Sequence, residues 1–203
     1  MATPLLRVEN LAKRYTRGLV RPEVTFSLEA DFRVEGPGVI GVMGPNGSGK
    51  TTLFELITGG NTPTAGRVLV NGQDIHAVRY HERDRLAIHY HQSYQVRSFK
   101  RTRPAFMMEH ASTPLPLVHL FDEPQFNTQD GYIGFMLDFF RRLRRESRLV
   151  FLCLHPNEPF HVDILRESCE RFIFVHKGRL THAGSFDELL GDERVRGYLG
   201  HLA

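Results

Sequence analysis

The sequence predicts an α/β fold with a mainly parallel sheet flanked by helices and an antiparallel β flank near the start, and three observations predict it. A glycine-rich stretch, Gly44-Pro45-Asn46-Gly47-Ser48-Gly49-Lys50-Thr51-Thr52, joins an apolar run to a helix-like one. A second apolar run, residues 117–121, ends in the adjacent carboxylates Asp122 and Glu123. From there on, short apolar runs alternate with helix-like segments, the pattern of parallel strands joined by crossovers.

The elements follow in order. Leu6-Arg7-Val8-Glu9-Asn10-Leu11 and the alternation Val24, Phe26, Leu28, Ala30 read as half-buried strands with one polar face, forming the antiparallel flank. Between them lies Tyr15, which as a residue reads equally well as an edge-strand aromatic. Val39-Ile40-Gly41-Val42-Met43 is a buried strand, and Leu53-Phe54-Glu55-Leu56-Ile57 a helix that Gly59-Gly60 ends. Residues 66–70 form a strand closed by the turn Asn71-Gly72, and residues 86–92 another. On the latter, His89 and His91 fall on one face at metal-ligand spacing, with no third ligand visible. His119, inside the strand before Asp122, reads as a hydrogen-bonded core or face histidine. Residues 149–154 form a strand ending at His155, and residues 171–175 a further one. Lys177-Gly178 is a turn, and Ser185-Phe186-Asp187-Glu188 a capping box that opens a helix through Leu189-Leu190.

Residue chemistry gives these landmarks a common ligand. The glycine-rich stretch fits G-x-x-x-x-G-K-[ST] in its required strand–loop–helix context, so backbone N–H groups at a helix N-terminus form an anion site. Lys50 adds a point charge for the outer phosphates, and the Thr51 hydroxyl can ligate magnesium. The expected core is therefore that of a P-loop NTPase, with a nucleoside triphosphate as ligand. Carboxyl ends of parallel strands face the ligand crevice in an open α/β sheet, which brings Asp122, Glu123 and His155 toward the phosphate loop. One acid can anchor magnesium while the next polarises a water.

Composition excludes several classes. The 203 residues suit one full-sized domain, 41% hydrophobic and 24% charged content is that of a soluble globular chain, and no apolar run is long enough to span a bilayer. The first residues show no basic-then-apolar leader, and Cys153 and Cys169 lie in or beside apolar segments without metal spacing; both point to a cytoplasmic chain with reduced thiols. A net charge of +3 gives little reason to expect nucleic acid. The densest basic run, Arg141-Arg142-Leu143-Arg144-Arg145, interleaves with Met136, Phe140 and Leu143 at helical spacing and reads as a solvated helix face rather than a phosphate-backbone contact.

The order of landmarks resembles the ATP-binding subunits of ABC transporters nearly from end to end: residues 6–15 at the start, residues 44–52 as Walker A, Asp122-Glu123-Pro124 closing Walker B, His155 as the switch histidine, and residues 177–190 at the close. The resemblance implies magnesium and ATP as cofactors. It assigns Tyr15 to stacking on adenine, and Gly44, Asn46, Gly47, Ser48, Gly49, Lys50, Thr51 and Thr52 to the phosphates. Thr51, Asp122 and Gln92 go to magnesium, Glu123 to the catalytic base, Gln92 to sensing metal and water, and His155 to the terminal phosphate. Asp130 corresponds to the aspartate of the loop that touches a partner subunit, although residues 125–129 are one longer than that pattern. The resemblance also implies as partners a second nucleotide-binding subunit, itself or a paralogue, and a membrane complex on whose cytoplasmic face the chain sits.

One departure matters. Only 72 positions separate Lys50 from Asp122, and the Leu-Ser-Gly-Gly-Gln signature of the family occurs nowhere in the chain. The helical subdomain that carries it is expected to be pruned, with residues 95–116 forming a loop and one short helix, and with Ser98-Phe99-Lys100-Arg101-Thr102 in the signature's place. Lys100, Arg101 or Arg103 could replace the missing donors; a solvated basic loop is the other reading. Two functions follow: an ATPase subunit driving transport, or a nucleotide-dependent docking module that borrows its signature from another chain.

Overall fold

The structure, a computed structural model, describes residues 3–18, 21–90, 116–124 and 132–203. Two sheets form. The first is wholly antiparallel: β1 (Leu6–Arg17) pairs with β2 (Glu23–Val34) on one side and β4 (Ala65–Val70) on the other, and β5 (Gln73–Asp74) extends β4. Both long strands run beyond the stretches that alternation alone marks. Register shifts between Val8 and Leu11 and again between Tyr15 and Thr16 break the period of two, as bulges do.

The second sheet has the order β10-β9-β3-β8-β7-β6, where β3 is Gly38–Met43, β6 Ala87–Tyr90, β7 Val118–Asp122, β8 Leu149–Cys153, β9 Arg171–His176 and β10 Arg179–Ala183. All neighbours are parallel except β10, which folds back on β9 through Lys177-Gly178. The central strands β3, β7 and β8 are buried on both faces, which is why they read as continuous apolar runs.

Each face of this sheet has its own core. On one side lie α2 (Tyr132–Arg145), α3 (Pro159–Ser168), α4 (Phe186–Leu190) and α5 (Glu193–Leu199), packed through Phe139, Phe140, Leu143, Leu165, Phe186 and Val195. On the other, α1 (Lys50–Ile57) and the antiparallel sheet enclose Phe54, Leu56, Phe151, Val68 and Leu28. The fold is thus mixed α/β with the expected antiparallel flank. The expectation of a pruned helical subdomain falls on residues 95–116, which apart from Pro116 lie outside the described residues.

Several smaller expectations hold. The basic run lies along α2 with Met136, Phe140 and Leu143 buried, while Arg141 pairs with Asp138 at 3.1 Å and Arg142 with Glu146 at 2.8 Å. Both cysteines are buried free thiols, and burial pushes each thiol well up from its ordinary range. His119 is fully buried, with Nδ1 3.1 Å from the Tyr90 hydroxyl and Nε2 3.1 Å from the Pro116 carbonyl. Ser185 Oγ caps α4 by accepting from the Glu188 amide at 3.1 Å, and Glu188 reaches back to the Gly184 amide, one residue earlier than in a standard capping box.

Candidate functional site

The site is assembled where β3, β7 and β8 end. Met43 closes β3, the loop of residues 44–49 wraps the N-terminus of α1, and Gly49 is that helix's N-cap at φ 113° with no side-chain cap. The first-turn N–H groups therefore have no side-chain acceptor from the cap and are available to an anion. Gly44 is required by packing as well as by angle. At φ 150°, a Cβ on it would stand 2.1 Å from the Val175 carbonyl oxygen of β9.

Lys50 is 6% exposed and folds back over the loop, its Nζ donating to the carbonyls of Gly44 at 2.7 Å and Pro45 at 3.0 Å. A phosphate oxygen competes for the same ammonium. Ser48 Oγ is buried with no hydrogen-bond partner among the described residues, a hydroxyl that a further acceptor or donor would satisfy. Thr51 Oγ1 donates to Asp122 Oδ2 at 2.8 Å, joining the start of α1 to the end of β7.

Burial pushes the Asp122 carboxyl up, but hydrogen bonds from His89 and Thr51 and the His89 ring's charge more than offset it, so the group is held below its ordinary value and stays ionised at neutral pH. His89 Nε2 lies 3.4 Å from the same oxygen, Oδ2, and its ring packs edge-on against Phe54. Among the described residues no three His, Cys, Asp or Glu side chains gather at one point. The His89 ring faces Asp122, and the two-histidine metal reading involves His91, which lies outside the described residues. One hydroxyl and one ionised carboxylate suit magnesium, which keeps most of its shell for water and phosphate.

Glu123 sits just past β7 at φ 49°, a left-handed backbone that a glutamate seldom adopts, with its amide donating to the Cys153 carbonyl at 3.0 Å. This turns its side chain out of the strand's alternation. Glu123 lines a pocket of about 420 Å3 together with Tyr15, Thr25, Phe26, Asn46, Gly47, Gly49, Lys50, Thr51 and Thr52. Tyr15 stands at the outer wall, 37% exposed, with its hydroxyl accepting from Asn61 Nδ2 at 2.7 Å and the Lys13 ammonium 5.1 Å from its ring centre.

His155, just beyond β8, does not line this pocket; its Nδ1 is 2.8 Å from the Tyr198 hydroxyl of α5. Gln92, Asp130, Lys100, Arg101 and Arg103 lie outside the described residues. Three residues were not singled out for the site from sequence. His89 stood out only for its metal-type spacing to His91, and Tyr198 carried no motif signal.

Gly178 carried a turn signal, and its part in the loop is the larger surprise. Its amide donates to the Ser48 carbonyl at 2.9 Å and its carbonyl accepts from Glu29 at 2.9 Å, so the turn after β9 holds the phosphate loop against β2. Its φ is 72°, and a Cβ would stand 1.8 Å from the Ser27 carbonyl oxygen. Gly178→Ala is expected to destabilise the fold by about 2 kcal/mol or more. Urea unfolding checks this, and an unchanged midpoint would refute the close approach.

The family model of the ABC transporter matches residues 29–130, half of the chain. The chain belongs to the ABC transporter family. Among curated relatives of this ABC protein, ATP-binding protein ChvD of Rhizobium radiobacter is 42% identical over 72 residues, and lipoprotein-releasing system ATP-binding protein LolD of Xylella fastidiosa 37% over 83. These matches cover 36% and 41% of the chain but only 23% and 34% of those proteins. The lipopolysaccharide export system ATP-binding protein LptB of Acidithiobacillus ferridurans aligns over 97% of both chains at 26% identity. That alignment is 243 positions long against 203 residues here, so at least 40 of its positions face gaps in this chain.

Solved structures agree on the fold. A nucleotide-free ATP-binding cassette from an ABC transporter superposes with a TM-score of 0.66 at 18% identity, covering 96% of this chain and 98% of its own. A bacterial Atm1-family ABC exporter with ATP bound gives 0.71 at 18% identity over 99% of this chain and 42% of the exporter. This ABC family member therefore has the fold of the family's nucleotide-binding subunits.

Proposed function

We propose that the chain, acting as one ATP-binding domain, binds ATP with magnesium and hydrolyses it as the ATP-binding subunit of an ABC-type transport complex. The observation that carries this reading is the convergence of Lys50, Thr51 and Glu123 on one pocket at the N-terminus of α1, in a chain of this family. In the proposed complex the loop amides and Lys50 hold the phosphates, and Tyr15 holds the base. The Thr51 hydroxyl and Asp122 carboxylate would hold magnesium, which neutralises charge on the outer phosphates. Glu123 accepts a proton from the attacking water, His155 contacts the terminal phosphate, and Gln92 completes the sensing of metal and water.

Partners follow from the same reading. They are a second nucleotide-binding subunit, of this chain or a paralogue, and a membrane-embedded complex at whose inner face the chain works. The relatives' names support it, since LptB and LolD are ATP-binding proteins of export and releasing systems. Among the described residues no helix is long and apolar enough to cross a membrane, so the membrane part would come from another chain. Affinity purification from membranes solubilised in mild detergent, with mass spectrometry of what accompanies the chain, tests the partnership. Recovery of the chain without any membrane protein would count against transport coupling.

The base contact has its own test. Tyr15→Ala is expected to weaken ATP binding by about 1–3 kcal/mol, the range of a base stacked on an aromatic ring. The loss should carry over to GTP, because stacking reads the ring face rather than its edge. Calorimetry giving the same affinity for the variant would return Tyr15 to an edge-strand role.

A further inference from the structure

Tyr198 belongs to α5, far along the chain from every nucleotide-binding motif, yet its phenol reaches the histidine just beyond β8. Val195 and Leu199 are buried and anchor that helix against the sheet, and Tyr198, three residues after Val195, sits at the rim of the same face. Its ring centre lies 5.7 Å from that of Phe174 on β9 and 5.6 Å from that of His155. Its hydroxyl is 2.8 Å from His155 Nδ1.

A hydroxyl facing a histidine nitrogen can either donate or accept, and the chemistry of the two groups decides which. A phenol is a stronger hydrogen-bond donor than a neutral imidazole N–H, and an imidazole nitrogen a stronger acceptor than a phenol oxygen, so across the 2.8 Å contact the O–H donates to Nδ1. Burial pushes the phenol up from its ordinary range, so it keeps that proton.

We propose that Tyr198 is a positioning residue of the hydrolytic site: it donates to His155 Nδ1 and so fixes the imidazole as the tautomer that carries its proton on Nε2. A neutral imidazole has one donor and one acceptor, and a donor already bonded to Nδ1 fixes which is which. The Nε2–H is then the ring's donor for a phosphate oxygen, and its orientation is set by α5. This inference rests on the reading of His155 as the residue that contacts the terminal phosphate.

Nitrogen NMR on the full chain labelled at histidine tests it without recourse to ATP chemistry. The His155 signals, among those of eleven histidines, are identified by their loss in His155→Ala. At about pH 8, above the ordinary histidine range, wild type is expected to show the Nε2–H form. Tyr198→Phe, which keeps the ring packing, is expected to shift the signals toward a mixture of tautomers. A wild-type Nδ1–H form, or a distribution unmoved by Tyr198→Phe, would overturn the proposal.

Kinetics with magnesium and ATP on the partner-bound chain gives the second arm. Tyr198→Phe is expected to lower kcat about tenfold with KM changed less than about twofold, and to add nothing in a His155→Ala background. A kcat equal to wild type, or a full further loss in that background, would overturn it as well. If wild type neither binds nor hydrolyses ATP, the functional reading fails, while the NMR result still decides what Tyr198 does.

Discussion

Lys50→Ala is expected to weaken binding of magnesium and ATP on the order of a hundred- to a thousandfold. Lys50 is 6% exposed and its ammonium is already directed at the loop by two carbonyls, so no side chain has to be ordered when phosphate arrives. Losing a desolvated charge that meets a charged ligand costs about 3–4 kcal/mol, because the phosphate is left facing an uncompensated site. Alanine also releases the Gly44 and Pro45 carbonyls, which then point toward the anion with no cation between them. Both effects have the same sign. Lys50→Arg separates charge from shape: a guanidinium keeps the charge, but its planar fork does not fit where a compact ammonium meets two carbonyls. Isothermal titration should therefore give substantial loss in both variants, the larger in alanine, with little change in thermal unfolding without nucleotide. Unchanged affinity in Lys50→Ala would refute the site.

How much of this was legible in the sequence varies with the range of the interaction. The phosphate loop was legible because a single short stretch contains its strand, turn and helix, and the angles at Gly44 and Gly49 follow from local sterics. Asp122 and Glu123 were legible because parallel strands deliver their carboxyl ends to one edge. The hydrogen bond from Thr51 to Asp122 spans 71 positions and could be expected only as proximity, not as a contact. Gly178 looked like any turn glycine. Its close approach to Ser27 and its bond to Ser48 depend on how the two sheets meet, which no local pattern encodes. The same holds for Tyr198, since one aromatic residue on a short helix reads as core or surface until the packing is known, and for His89, whose spacing to His91 gave no hint of its approach to Asp122. The positive φ at Glu123 was invisible for a different reason: the strain belongs to the residue's neighbours and not to its type.

Glu123→Gln is expected to leave nucleotide binding within about twofold and to cut hydrolysis by roughly a hundredfold or more, the range of a general base's contribution. Glutamine keeps the side chain's shape and the amide bond to Cys153, so the left-handed turn at φ 49° persists, but its neutral amide cannot take a proton from water. In a family member with a complete signature, such a variant should trap ATP between two nucleotide-binding subunits. Trapping needs donors from the opposite chain as well. Here Asp122 comes only 72 positions after Lys50, no Leu-Ser-Gly-Gly-Gln occurs, and the alignment with LptB leaves at least 40 positions facing gaps in this chain. Donors contributed across a subunit boundary are worth on the order of 10³ to 10⁵ in rate in other P-loop enzymes. The chain alone should therefore hydrolyse ATP weakly and form no long-lived dimer even as Glu123→Gln, whereas adding its natural partner should restore turnover to wild type and a stable, ATP-dependent complex to the variant. Size-exclusion chromatography with magnesium and ATP separates these outcomes. A stable homodimer of Glu123→Gln without any partner would mean that residues 98–103 supply the signature's donors themselves, and that the ATPase is self-sufficient.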